Sequence, residues 1–258
     1  MSGRNRVAWG LPPLLLGAAA IVWGCQVTPT GVLGNGGFQY LCTNQEGDSS
    51  CSSTTDTTSL PGAVAVGAKF QLGYAPKSSA YTTTQGANGY EVVPASQELA
   101  LASSNTIVAQ RPGYVALLAR HVGTATVDDF VFLKLETITS IKTTSASVSL
   151  SPGQAGTIEV QAFDKLGAEL AGQLACTWKT SDASVVKVTS TTGLGKLVAG
   201  CNGGAATVTA TCGAAALDVP VTVDVGGCIG DAGSDANDGS SGNDANSSSD
   251  ASDGGGNG

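Results

Sequence analysis

Charge is scarce in this sequence. Asp, Glu, Lys and Arg make up 12% of 258 residues, against a usual share of about a quarter. No basic patch stands out, which disfavours nucleic-acid binding. Histidine occurs once, as His121, and no Cys-x-x-Cys pair is present, so the sequence holds no zinc-ligand set. His121 lies between Arg120 and Val122, with Asp128 and Asp129 further on. That pattern pairs no nucleophile with a base, and a lone histidine beside a turn is expected to be solvated. No catalytic residue, metal or cofactor is implied. A membrane-length apolar run is also missing. The longest, Leu11–Trp23, is broken by Pro12-Pro13 and is shorter than the roughly 20 residues a spanning helix needs.

The N-terminus carries export chemistry instead. Arg4 and Arg6 precede the apolar run, as in a secretory signal over residues 1–24. The run ends in Val22-Trp-Gly-Cys25, which resembles a bacterial lipobox. Trp23 is bulkier than that pattern prefers. The resemblance implies that Cys25 carries lipid and anchors the chain to a membrane; an ordinary cleaved signal is the alternative. Gln26 follows, and by analogy with Gram-negative sorting it favours the outer membrane.

Residues 25–58, rich in Thr, Gly, Asn and Ser, are expected to form a flexible tether. From 227 to 258 the chain is almost entirely Gly, Asp, Ser, Asn and Ala, with six aspartates and no Lys or Arg. Such a segment buries too little to offset its entropy, so a disordered acidic tail is expected. Asp235-Ala-Asn-Asp-Gly239 has the wrong register for an EF-type calcium loop, and no Glu follows it.

Between tether and tail the sequence is all-β. Ile158, Val160 and Ala162 alternate with Glu159 and Gln161, and Leu217, Val219, Val221, Val223 and Val225 alternate with polar residues and Pro220. A period of two marks half-buried antiparallel strands. Turn residues at Ser151-Pro-Gly153, Asp164–Gly167, Thr192-Gly193 and Gly203-Gly204 separate the runs. Short strands at this spacing predict a β-sandwich over 137–226. Several residues resemble, in order and spacing, a bacterial immunoglobulin-like domain of group 2. They are Val148-Ser-Leu150 with Pro152-Gly153, Trp178 with Ser181-Asp182, Val185–Val188, Ala199-Gly200 and Gly204–Val208. The resemblance implies a secreted or surface location, a spacer or adhesive role, no reaction, and tandem copies stacked as a rod.

Residues 59–136 are expected to be a diverged second copy, an unrelated β domain being the alternative. Ser103–Val108 echoes Ser181–Val186, and Gly123–Val127 echoes Gly204–Val208, at spacings of 20 and 23 residues. The expected architecture is thus tandem Ig-like sandwiches, as a monomer.

Six cysteines remain besides Cys25, an even number that suits disulfides in an exported chain. If Thr211 faces Leu217 across a hairpin, paired numbers sum to 428 and Cys228 falls beside Cys201. In an Ig-like sandwich Cys212 then lies beside the strand that starts at Cys176. The expected bridges are Cys176–Cys212, Cys201–Cys228 and a local Cys42–Cys51. Trp178 shares inward parity with Cys176 and is expected in the core. Tyr81 and Tyr90, at the ends of a Ser/Thr/Gly loop, are candidates for contact with a glycan or surface protein, with loop packing as the alternative. The expected function is structural or adhesive display without catalysis; the alternative is a carbohydrate- or protein-binding module of a larger surface assembly.

Overall fold

A computed structural model describes residues 30–42, 45–51, 59–77, 89–103 and 106–227. Within them the chain forms 17 strands and no helix. The first eight strands are β1 (Gly36–Leu41), β2 (Val64–Ala65), β3 (Lys69–Pro76), β4 (Tyr90–Pro94), β5 (Ala100–Ser103), β6 (Thr106–Ala109), β7 (Gly113–His121) and β8 (Val127–Glu136). They make two four-stranded sheets, ordered β1-β3-β6-β5 and β2-β8-β7-β4. The second set is β9 (Ser140–Thr143), β10 (Val148–Leu150), β11 (Ala155–Phe163), β12 (Glu169–Leu170), β13 (Cys176–Thr180), β14 (Val186–Thr189), β15 (Leu194–Ala199), β16 (Gly204–Cys212) and β17 (Ala215–Val223).

The second set repeats the first. In both, the opening strand lies antiparallel on the first long strand, β1 on β3 and β9 on β11. The next strand crosses to the other sheet and runs parallel to the last, β2 with β8 and β10 with β17. With β9 on β11, the sheets of the second set read β9-β11-β15-β14 and β10-β17-β16-β13. This is the two-sheet arrangement of an Ig-like sandwich. Among the described residues only β12 has no counterpart.

The equivalence corrects the sequence alignment of the repeats. Gly123 sits in the β7–β8 turn, whereas Gly204 opens β16. The true partner of Gly204 is Gly113, which opens β7. Both have φ near +150°, and both face one apolar chain, Val185 and Leu99 respectively. That backbone conformation favours glycine at both positions. Consistently, Ala100 N–H donates to Ser96 O as Val186 N–H donates to Asp182 O, both at 3.1 Å. Ser96–Ala100, not Ser103–Val108, is the match to 182–186.

Strand alternation accounts for the cores. Ile158, Val160 and Ala162 point inward from β11, as do Val208, Ala210 and Cys212 from β16. In β17 the inward series stops at Val223, and Val225 is 97% exposed. The β16–β17 hairpin pairs Cys212 with Ala215 and Gly204 with Val223, so paired numbers sum to 427, one less than expected. The connection is the two-residue Gly213-Ala214, with Gly213 at φ 61°, as tight hairpin loops require.

The expected tether does not hold for residues 36–42. All six residues of β1 are buried, and Phe38 and Tyr40 belong to the core. The first sandwich therefore begins at β1 rather than at residue 59. Its 42–51 loop is closed by Cys42–Cys51 and fastened by Tyr40, whose hydroxyl donates to Asp48 Oδ2 at 2.6 Å.

The two sandwiches share a core. After β12 the chain runs into the first sandwich between β2 and β3. Ala65 N–H donates to Ala171 O and Ala171 N–H to Ala63 O, each at 3.0 Å. Lys69 and Gln173 exchange two backbone bonds, at 3.0 and 2.7 Å. Leu170, Ala171 and Leu174 join one hydrophobic cluster with Val64, Phe70 and Leu135. The 42–51 loop braces the same junction: Gln173 Nε2 donates to Glu46 O at 2.9 Å, and Glu46 pairs with Lys196 at 2.9 Å.

Candidate functional site

A heavily bonded polar group lies on β8. Asp129 shares inward parity with Val131, Leu133 and Leu135, and is fully buried. Its carboxylate accepts four backbone N–H groups. Oδ1 receives Leu33 and Phe130 at 2.8 Å each; Oδ2 receives Asn35 at 2.8 Å and Gly36 at 3.2 Å. A Cβ on Gly31 would lie 2.2 Å from this carboxylate, so only glycine fits beneath it. Val32 N–H donates to Phe130 O at 2.8 Å, and Asn35 Nδ2 to Asp128 O at 2.6 Å. Asp129 thus clamps the 31–36 loop onto the end of β8. An acidic residue at an apolar parity position was the sequence signal for it.

An aromatic series starts beside this clamp. Phe38 packs on Tyr74 at 5.1 Å, Tyr74 on Tyr90 at 5.2 Å and Tyr90 on His121 at 4.1 Å, from core to solvent. Tyr74 also donates to Asp128 Oδ2. Burial, then the Asp128 hydrogen bond, pushes the Tyr74 phenol well above its ordinary pKa. Burial and then Asp128 raise Tyr90 as well. Tyr40 is pushed well up by its own burial and then by Asp48. Tyr90, expected at an exposed contact surface, is half-buried, with its ring occupied by Tyr74 and His121. Its partner candidate, Tyr81, lies outside the described residues, as do Cys25, Cys228 and the acidic tail.

On the outward face of β4 and β7, Glu91 pairs with Arg120 at 2.8 Å. They border a cleft of about 390 Å³ together with Val93, Gln97 and Leu101. His121 is exposed at the end of β7. Among the described residues no group of His, Cys, Asp and Glu could hold a metal ion.

Cys176 and Cys212 are bonded across β13 and β16, directly opposite one another and buried. Cys201 is also disulfide-bonded; its expected partner, Cys228, lies outside the described residues. Disulfides of this kind belong to an oxidising, extracytoplasmic compartment. Trp178, expected in the core, is half-buried. It packs against both hydrophobic clusters, its ring lies over Gly195, and its Nε1 donates to Thr192 O at 2.8 Å. That bond satisfies the indole N–H where the ring is covered.

The chain matches no family model and no curated protein. Among solved structures it is similar to the S-layer protein SbsC, at 18% identity and a TM-score of 0.31, over 62% of this chain and 24% of that one. It is similar to the adhesin FdeC of Escherichia coli, at 15% identity and a TM-score of 0.31, over 65% of this chain and 62% of that one. It is also similar to an endo-fucoidan hydrolase of glycoside hydrolase family 107, at 12% identity and a TM-score of 0.31, over 67% and 28%. The chain thus spans about a quarter of the S-layer protein's length. Likenesses this remote leave the assignment to the chain's own topology: two Ig-like sandwiches in tandem.

Proposed function

We propose that this chain is an exported lipoprotein, anchored through Cys25 in the cell envelope, that serves structural or adhesive display through two Ig-like domains, the second of the bacterial group 2 kind. The anchor would lie in the outer membrane, following Gln26. The observation that carries this reading is the junction. Four backbone hydrogen bonds, a shared apolar cluster and a disulfide-closed brace join the repeats. Such a joint holds position between an anchored end and a free end, as a spacer must. Mass spectrometry of membrane-extracted protein tests the anchor. Acyl chains on an N-terminal Cys25 are expected, and release of wild type and Cys25→Ala alike into the medium would refute it.

The Glu91–Arg120 cleft favours a second reading, a module that binds a surface glycan or protein. An ion pair beside the apolar Val93 and Leu101 suits a ligand with both hydroxyl and apolar faces. Glycan-array binding lost on Arg120→Ala or Tyr81→Ala would support it.

A further inference from the structure

Exposed apolar side chains gather at one end of the first sandwich. Val32 and Leu33 are 57% and 55% exposed, Val122 58% and Val127 38%. Val32 and Leu33 belong to the loop that Asp129 and Phe130 hold. Val127 begins β8, paired with Arg120, and Val122 lies in the turn between β7 and β8. Phe132 and Tyr114 extend the apolar surface along the outward face of these strands, at 58% and 67% exposure, and Phe132 packs edge-on against Phe130. Monomeric proteins seldom leave contiguous apolar surface of this kind without a use for it.

The covalent chain indicates what covers it. Thr30 bridges to Gly37 at this same end, and only residues 26–29 separate it from Cys25. Five residue steps span at most about 17 Å when fully extended. A lipid on Cys25 would therefore hold the Asp129 end of the sandwich against the headgroups. The junction with the second sandwich lies at the opposite end of β8, where Leu135 and Glu136 pair with β2. Nine residue steps of strand put it about 30 Å away.

We propose that the Val32, Leu33, Val122 and Val127 end docks on the lipid bilayer itself, with these side chains in the headgroup layer, so that the second sandwich points away from the membrane. Phe132 flanks the contact, whereas Tyr114, opposite Lys134, lies toward the junction end. Of the charged groups at this end, Asp129 is consumed by backbone N–H groups, Asp128 by Tyr74, and Arg120 by Glu91. Lys77, close to Gly34, is a cation able to meet lipid phosphate. The proposal rests on Cys25 as the point of attachment, and its test supplies that attachment chemically.

The mature chain, lacking residues 1–24, is coupled through the Cys25 thiol to maleimide lipid in phosphatidylcholine–phosphatidylglycerol vesicles. Tryptophan is introduced as Val122→Trp or, on the second sandwich, as Leu166→Trp, and brominated lipid is the quencher. The expected result is at least a twofold loss of the added emission for Val122→Trp and none for Leu166→Trp. Equal quenching at both positions, or none at either, overturns the docking. So does concentration-dependent self-association abolished by Phe132→Asp without quenching, which would assign the face to a second copy. If Val122→Trp fails to fold, Thr124→Trp in the same turn takes its place. Absence of acyl chains on Cys25 in cells would refute the anchor but leave this measurement standing.

Discussion

Replacing Ala171 by aspartate should uncouple the two sandwiches. Ala171 is buried in the shared cluster, flanked by Val64 and Leu170, with both backbone groups bonded to residues 63 and 65. A carboxylate there must shed its water without a partner or force the 170–174 segment out, at a cost of about 3–5 kcal/mol. The four junction backbone bonds contribute about 2–6 kcal/mol together, at roughly 0.5–1.5 each. The exposed Glu46–Lys196 pair adds less than about 1 kcal/mol. A coupling of that size is a large share of the stability of a small domain, so the wild-type sandwiches should unfold together. The sequence supplies both probes. A chain that starts at Cys25 lacks Trp9 and Trp23, leaving Trp178 in the second sandwich, while all five tyrosines precede residue 136. Trp178 fluorescence and tyrosine near-ultraviolet circular dichroism should therefore trace one denaturation curve in the wild type. In Ala171→Asp the tyrosine curve should move to lower denaturant, ahead of the tryptophan curve. Separate curves in the wild type, or a variant that moves neither, would refute the shared core.

Asp129→Ala should cost about 3 kcal/mol, because releasing the 31–36 loop to water is cheaper than burying four orphaned N–H groups; accelerated hydrogen exchange at Leu33 and Asn35 is the readout, and unchanged protection would dismiss the clamp. Trp178→Ala should cost about 2–3 kcal/mol, below the 3–5 of a fully buried aromatic, since part of the ring already meets solvent; a larger loss by urea titration would mean a deeper burial. Tyr40 and Tyr74 hold their protons more tightly in the folded chain, so their contribution is complete below about pH 10 and falls as pH rises from there toward the folded pKa values. Tyr40→Phe should flatten the alkaline loss of stability; a slope equal to wild type would exclude Tyr40 as its source.

The second sandwich was largely legible because its strands alternate cleanly between an apolar core and water. The first strand was not. Gly-Gly-Phe-Gln-Tyr-Leu over 36–41 is buried on both faces, so it shows no period, and its glycine-rich surroundings resemble linker. The hairpin register slipped by one residue because Gly213-Ala-Ala215 is consistent with either a two- or a three-residue loop until the backbone of Gly213 is known. Short Ser/Gly/Val words recur at several turns, so the repeat was legible while its alignment was not. Of the candidate contacts, Tyr90 was recognisable as aromatic and near a loop, but its engagement with Tyr74 and His121 depends on three strands meeting. The junction was hidden altogether, because Leu170–Leu174 is secured by residues about a hundred positions upstream.

The clamp on β8 also orders events during export. In a chain exported N-terminus first, the carboxylate that secures Leu33 and Asn35 follows 96 and 94 positions after them. The parallel partner of β2 arrives only with Leu135, and its second neighbour with Ala171. Contacts of such sequence separation form late and slowly. Strand β1 can pair with β3 soon after it emerges, but the loop ahead of it stays unclamped until β8 follows, and a chaperone that shields Phe38 and Tyr40 in that interval would act on productive folding rather than on rescue.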